Sequence, residues 1–142
     1  MIILDTNVIS ELMCTAPETV VIDWIDTQAD IDLFVTAITV AELLYGIARL
    51  PDGRRKSNLA THVERMIDED LDHRVLPFDE TAAPHYADIA VTRERVERPI
   101  SVADAQIAAI CRTYGSTLAT RNVNDFADTG VTVIDPWSSS RL

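Results

Sequence analysis

Ile2-Ile3-Leu4-Asp5-Thr6-Asn7-Val8-Ile9-Ser10 joins two hydrophobic patterns across a single acidic residue. The three aliphatics make a run too short for a helix and, with two β-branched members, suited to a strand covered on both faces. Val8, Ile9 and Leu12 then follow at helical spacing, and Thr6 or Asn7 is placed to cap that helix. Asp5 stands at the strand's carboxyl end. It is either a turn acid or a ligand, and the segment alone leaves both open.

Outward from this junction, Thr15-Ala16-Pro17-Glu18 is a break. Val20, Val21, Trp24 and Ile25 mark an amphipathic helix to about Gln28. Ile31 to Val35 reads as a second strand, Thr36 to Thr39 as a turn, and Val40, Leu43, Leu44, Ile47 and Leu50 as one face of a helix ended by Pro51-Asp52-Gly53. A polar helix runs from Arg54 to about Leu71, and Val75 to Phe78 is a short strand. Asp79 or Thr81 caps the next helix, which stops at Pro99. Ser101 opens a largely apolar helix ended by Gly115. Ser116 to Thr120 and Val131 to Ile134 are the last strands, with a turn or short helix at Arg121 to Phe126 between them and a Ser-rich, mobile tail beyond Asp135-Pro136. Strands separated by helices imply parallel crossovers, so the expected fold is α/β, a three-layer α/β/α sandwich around a central, mainly parallel sheet.

Bulk properties narrow the function classes. At 142 residues the chain is expected to form one domain over 1–142, and 47% hydrophobic with 25% charged residues is globular composition. A net charge of -11 argues against a surface built wholesale for nucleic acid, yet it leaves room for an enzyme whose surplus carboxylates hold cations. Cys14 and Cys111 form no Cys-x-x-Cys pair, so free thiols in a reducing, cytoplasmic setting are expected. No run approaches the roughly 18 apolar residues of a membrane helix.

In a parallel sheet, ligands bind beyond the carboxyl ends of the strands. Four acids fall at that edge: Asp5 after the first strand, Glu42 in the first turn of the helix after the second, Asp104 in the first turn of the apolar helix, and Asp125 after the Ser116 to Thr120 strand. Three of them also fit a plainer role. Thr39 to Glu42, Ser101 to Asp104 and Asn122 to Asp125 each put an acid three residues after a capping residue. The combination favours chemistry, because acids flanked by Leu4, Ala41, Leu43, Ala103 and Ala105 are expected to be partly desolvated and to repel one another unless cations neutralise them. Oxygen ligands without His or Cys suit Mg²⁺ or Mn²⁺ and hence phosphoryl chemistry.

At these residues the chain also resembles a known family. Leu4-Asp5-Thr6-Asn7, Val40-Ala41-Glu42-Leu43, Asp104-Ala105-Gln106-Ile107-Ala108-Ala109 and Thr120-Arg121-Asn122-Val123-Asn124-Asp125-Phe126 resemble, in order, the acidic motifs of PIN-domain ribonucleases, above all VapC-type toxins and their FitB-like members. The resemblance implies a PIN-like fold and a Mg²⁺- or Mn²⁺-dependent endoribonuclease acting on an RNA substrate. It also implies a homodimer, held inactive by a cognate antitoxin whose segment occupies the active-site groove. On that basis Asp5, Glu42, Asp104 and Asp125 would be catalytic and metal-binding, with Thr6, Asn7, Thr120 and Asn122 supporting them. Arg121 is a candidate RNA contact, although an exposed loop arginine is the plainer reading.

Other residues carry less. Arg54-Arg55-Lys56 and the Arg93, Arg95, Arg98 group read as solvated helix ends, His62, His73 and His85 lack zinc spacing, Asp79 and Asp135 read as cap and turn, and Trp24 and Trp137 as packing residues. A phosphatase with Asp5 as nucleophile wants a second acid two positions on, where Asn7 stands. A non-catalytic binding module, with the acids merely capping helices, is the remaining alternative.

Overall fold

The computed structural model describes residues 1–138, so Ser139 and the rest of the expected mobile tail lie outside the described residues. The elements are β1 (Ile2–Leu4), α1 (Thr6–Met13), α2 (Thr19–Asp26), β2 (Leu33–Thr36), α3 (Ala37–Ala48), α4 (Arg54–Arg65), β3 (Val75–Leu76), α5 (Ala83–Arg95), α6 (Val102–Tyr114), β4 (Thr117–Ala119) and β5 (Thr132–Ile134). Short 3₁₀ turns occupy Asp30–Asp32 and Val123–Phe126, and a π turn extends α4 over Met66–Asp70.

All strand pairs are parallel, in the order β3-β2-β1-β4-β5. β1 is therefore central, and its Ile3 pairs with Phe34 on one side and Leu118 on the other. Alternation along the strands divides the core. Ile3, Phe34 and Leu118 face the layer built by α5 and α6, with Ile89, Ile107, Ile110 and Phe126. Leu4, Leu33, Val35 and Ala119 face the opposite layer, with Val8, Val21, Trp24, Leu43 and Met66. The expected three-layer α/β/α sandwich is the observed architecture. Ile3, at 0% exposure, contributes about 1.5–3 kcal/mol of burial in the middle of it.

The chain moves outward from β1 to β2 and β3, then crosses back to place β4 on β1's other side. The strand order thus reverses between β1 and β4, which leaves a crevice at their carboxyl ends. Asp5 and Thr120 are the residues that follow those two strands.

Several local expectations change. β2 begins at Leu33 rather than Ile31, and Ile31 is 74% exposed in the 3₁₀ turn, where its neighbours Asp30 and Asp32 favour a solvated bend over a strand. The expected turn at Thr36 to Thr39 is the start of α3, because Thr36 rather than Thr39 is the N-cap and its hydroxyl accepts from the Thr39 amide at 3.1 Å. The first helix is capped by Asp5 itself, not by Thr6 or Asn7. Leu44, assigned to the buried side of α3, is exposed. Among the described residues no helix is long and apolar enough to cross a membrane.

Candidate active site

Asp5 uses its two carboxylate oxygens differently. Oδ1 accepts the Thr6 amide at 2.8 Å as the α1 cap, while Oδ2 accepts the Thr120 hydroxyl at 2.7 Å across the β1–β4 reversal. Thr120 is fully buried, and its oxygen also accepts from Asn7 Nδ2 and from the Asn122 amide, each at 3.1 Å. Both acceptor positions of that hydroxyl are thereby filled, so its proton has Asp5 as its destination. Asn7 also accepts the Arg121 amide through Oδ1 at 3.2 Å, which ties α1 to the loop after β4.

Thr6 serves the second acid. Its hydroxyl donates to Glu42 Oε1 at 2.6 Å and lies 3.1 Å from the buried Thr39 hydroxyl, itself 3.4 Å from that of Thr36. Glu42 sits in the second turn of α3, not the first, since the helix starts at Ala37. The helix-capping alternative for Glu42 fails with that shift. Asp104 does occupy the first turn of α6, where Ser101 is the cap and accepts the Asp104 amide at 3.1 Å. Asp125 lies in the Val123–Phe126 turn, and no side chain caps that turn.

The four acids differ in environment more than their sequence surroundings predict. Asp5 is 4% exposed and Asp104 is partly buried, whereas Glu42 is exposed, as is its neighbour Ala41 on α3, and Asp125 is exposed in its turn. Burial raises Asp5 above the usual carboxylate range, against the Thr120 and Thr6 hydrogen bonds that lower it, and the charges of Glu42 and Asp125 raise it further. Burial, followed by the charge of Asp5, pushes Asp104 up to about 6, with Ser101 opposing and Asp125 and Glu42 adding to the rise. The charges of Glu42 and Asp125 thus reach both Asp5 and Asp104, which places the four carboxylates in one electrostatic neighbourhood.

Asp5, Glu42 and Asp104 line a cleft of about 510 Å³ together with Thr6, Asn7, Arg121 and Asn122. Asp125 stays outside its lining. Ser10, Glu11 and Trp137 line the cleft too, and the sequence reading missed them there. Ser10 was recoverable, since it lies one helical turn beyond Thr6 and Asn7. Trp137 was not. It packs on the α1–α4 layer as expected, but its ring also lies under the Arg121 guanidinium at 5.0 Å, which no local pattern encodes. A second groove of about 760 Å³ shares Thr6, Ser10 and Glu42 and runs on past Leu43 and Ile47 to Arg54 and Arg55.

The Arg93 to Arg98 group also departs from expectation. Arg95 is exposed, but Arg93 is 4% exposed, because its guanidinium finds backbone carbonyls rather than water. Asp135 does form a turn, accepting the Trp137 amide, but the expected cap at Asp79 or Thr81 is not the observed one: Asp79 accepts the Thr81 and Ala82 amides in the turn before α5, whose N-cap is Ala82 without a side-chain bond.

Comparison with known proteins then assigns the fold. The PIN domain family matches residues 2–131. The chain belongs to the PIN domain family. This PIN-domain chain is 42% identical over 137 residues to VapC ribonuclease Y4jK of Sinorhizobium fredii, covering 96% of this chain and 98% of that protein. It is 40% identical to Toxin FitB of Neisseria gonorrhoeae over 137 residues, or 96% and 99% of the two chains. The crystal structure of FitAcB from Neisseria gonorrhoeae superposes with a TM-score of 0.90 at 40% identity, covering 97% of this PIN domain and 99% of that chain.

Proposed function

We propose that this PIN domain, acting as one unit over residues 1–142, is a Mg²⁺- or Mn²⁺-dependent endoribonuclease and the toxin of a cytoplasmic toxin–antitoxin pair. The observation that carries the reading is the placement of Asp5. It is buried at the strand-order reversal, held by Thr120 and Thr6, and shares its cleft with Glu42 and Asp104.

The donor chemistry fits a hard cation. Carboxylates are the acids of the cleft, and no His or Cys lines it. Among the described residues no three His, Cys, Asp or Glu side chains form a group that could hold a metal ion as they stand, so the fit rests on the oxygen-donor chemistry of the cleft. Asp5, Glu42 and Asp104 would hold the cation, and Asp125 would act from the cleft's edge, directly or through water. Lewis acidity toward water and phosphate oxygens is what such a cation supplies when bound. The chain's own residues provide the preorganisation. Thr120 and Thr6 hold the carboxylates of Asp5 and Glu42 in place before substrate arrives, so less ordering remains for the reaction step. Arg121, steadied on Trp137 at the cleft's rim, is placed to meet an RNA phosphate.

The relatives' printed names, a VapC ribonuclease and a toxin, support this reading. The partner would be a cognate antitoxin whose segment enters the groove shared by Thr6, Ser10 and Glu42, bound to a homodimer of this chain. The test is cleavage of total RNA by purified protein with Mg²⁺ or Mn²⁺ and with a chelator. The expected result is metal-dependent cleavage leaving 5′-phosphate and 3′-hydroxyl ends, abolished in the Asp5→Asn, Asp104→Asn double variant. Full cleavage by that variant would overturn the proposal.

A further inference from the structure

Arg93 is a buried cation without an acidic partner: it is 4% exposed, and no carboxylate among the described residues pairs with it. Its donors go to three carbonyls. Nε donates to Arg98 O at 2.6 Å, and Nη1 to Asp125 O at 2.6 Å and to Ala127 O at 3.1 Å. One planar fork thus joins the end of α5 to the short turn that carries Asp125. Desolvating a guanidinium for carbonyl dipoles alone is unfavourable unless those bonds accomplish something that a neutral side chain would not.

The contrast with the other acids shows what they accomplish. Asp5 is held by the Thr120 hydroxyl and Glu42 by that of Thr6, but the Asp125 carboxylate makes no hydrogen bond among the described residues and is exposed. Its position is set entirely through its backbone. Phe126, 2% exposed, plugs one end of the turn into the core, and Arg98 Nη2 steadies Asn124 O at 3.1 Å. Arg93 grips the peptide of Asp125 itself. Beyond it, Asp128 has a positive φ of 59°, so the segment turns sharply just after the Ala127 carbonyl that Arg93 holds.

We propose that Arg93 is a positioning residue for RNA cleavage, holding the Asp125 carboxylate at the edge of the cleft through the carbonyls of Asp125 and Ala127. This rests on the nuclease reading above, and specifically on a role for Asp125. A lysine at this position keeps the charge but not the fork, and cannot reach both elements in the same geometry.

The experiment is a double-variant cycle on RNA cleavage with Arg93→Lys, Asp125→Asn and their combination, each checked by thermal melting, with Asp5→Asn as the inactive control. Arg93→Lys is expected to lower kcat about tenfold with KM within about twofold, and to raise the Mg²⁺ concentration needed for half-maximal rate, as outer-shell changes do. In the Asp125→Asn background the same substitution should change kcat less than twofold. If Arg93→Lys does not fold, Arg93→Gln takes its place in the same cycle, with the same expectation. An undiminished tenfold loss in the Asp125→Asn background, or no loss in the wild type, overturns the proposal. Should Asp5→Asn be inactive while Asp125→Asn cleaves normally, the nuclease reading stands and the role of Arg93 falls. A wild type inactive with every divalent cation would remove both.

Discussion

Replacing Asp104 by Asn separates the stability of this fold from its proposed chemistry. Asp104 is raised from the ordinary 3.8 to about 6, first by burial and then by the charge of Asp5. Its ionised form is therefore disfavoured in the folded protein relative to the unfolded chain. Working the sign through, the native state favours the protonated acid, so this stabilising contribution is complete below pH 3.8. It is lost as pH rises through the interval from 3.8 to about 6. Above that interval the charge opposes folding by up to about 3 kcal/mol, which solvent access to this partly buried group reduces to about 1–1.5 kcal/mol. Asn carries no charge, so Asp104→Asn should be more stable than wild type by about 1 kcal/mol at pH 8 in a chelating buffer. That corresponds to roughly 3 °C in Tm for a chain of this size. The gain should shrink markedly at pH 4.5, and added Mg²⁺ should raise the wild-type Tm more than the variant's, since it neutralises a charge only the wild type has. Differential scanning fluorimetry across pH, with and without Mg²⁺, reads all three effects. A variant less stable than wild type by the same amount at pH 4.5 and pH 8 would show that Asp104 acts as a helix-start acid and not as a strained charge.

Thr120→Val keeps the shape of a fully buried side chain while deleting the hydroxyl that donates to Asp5 and accepts from Asn7 and Asn122. Cleavage should fall about 10–100-fold, and Asp5 should titrate at a still higher pH, as carbon-detected NMR of its carboxyl would show. Cys14 is exposed, whereas burial pushes the Cys111 thiol up to about 12. A maleimide at pH 7.5 should therefore modify one thiol in the native protein and two after denaturation. Rapid native labelling of both would mean that α6 opens far more readily than its packing implies.

Errors in the sequence reading cluster where two residues compete for one local role. Thr36 and Thr39 are both capping types three residues apart, and packing of Val35 and Thr36 at the end of β2 starts α3 at the first of them. That choice moves Glu42 into the second turn and removes its capping alternative. Ile31 looked like a strand residue because its hydrophobicity was visible and its exposure was not. Arg93 looked solvated because arginines near a helix end are usually so, and only the approach of the Asp125 loop supplies the carbonyls that let it be buried.

The sequence by itself determined the strand–acid–helix junction at Asp5, the parallel α/β architecture and the fall of the acids near strand ends and helix starts. Those features follow from hydrophobic period and from residues adjacent in the chain, which any local reading can sum. Strand order is different in kind, because placing β4 beside β1, and so Thr120 beside Asp5 at a sequence separation of 115, depends on which crossovers bury the most surface, and no window of sequence contains that comparison. Tertiary structure alone therefore decided that Thr120 meets Asp5, that Asp5 is buried and Asp104 partly so while Glu42 and Asp125 are exposed, and that Trp137 lines the cleft and Arg93 holds the Asp125 turn.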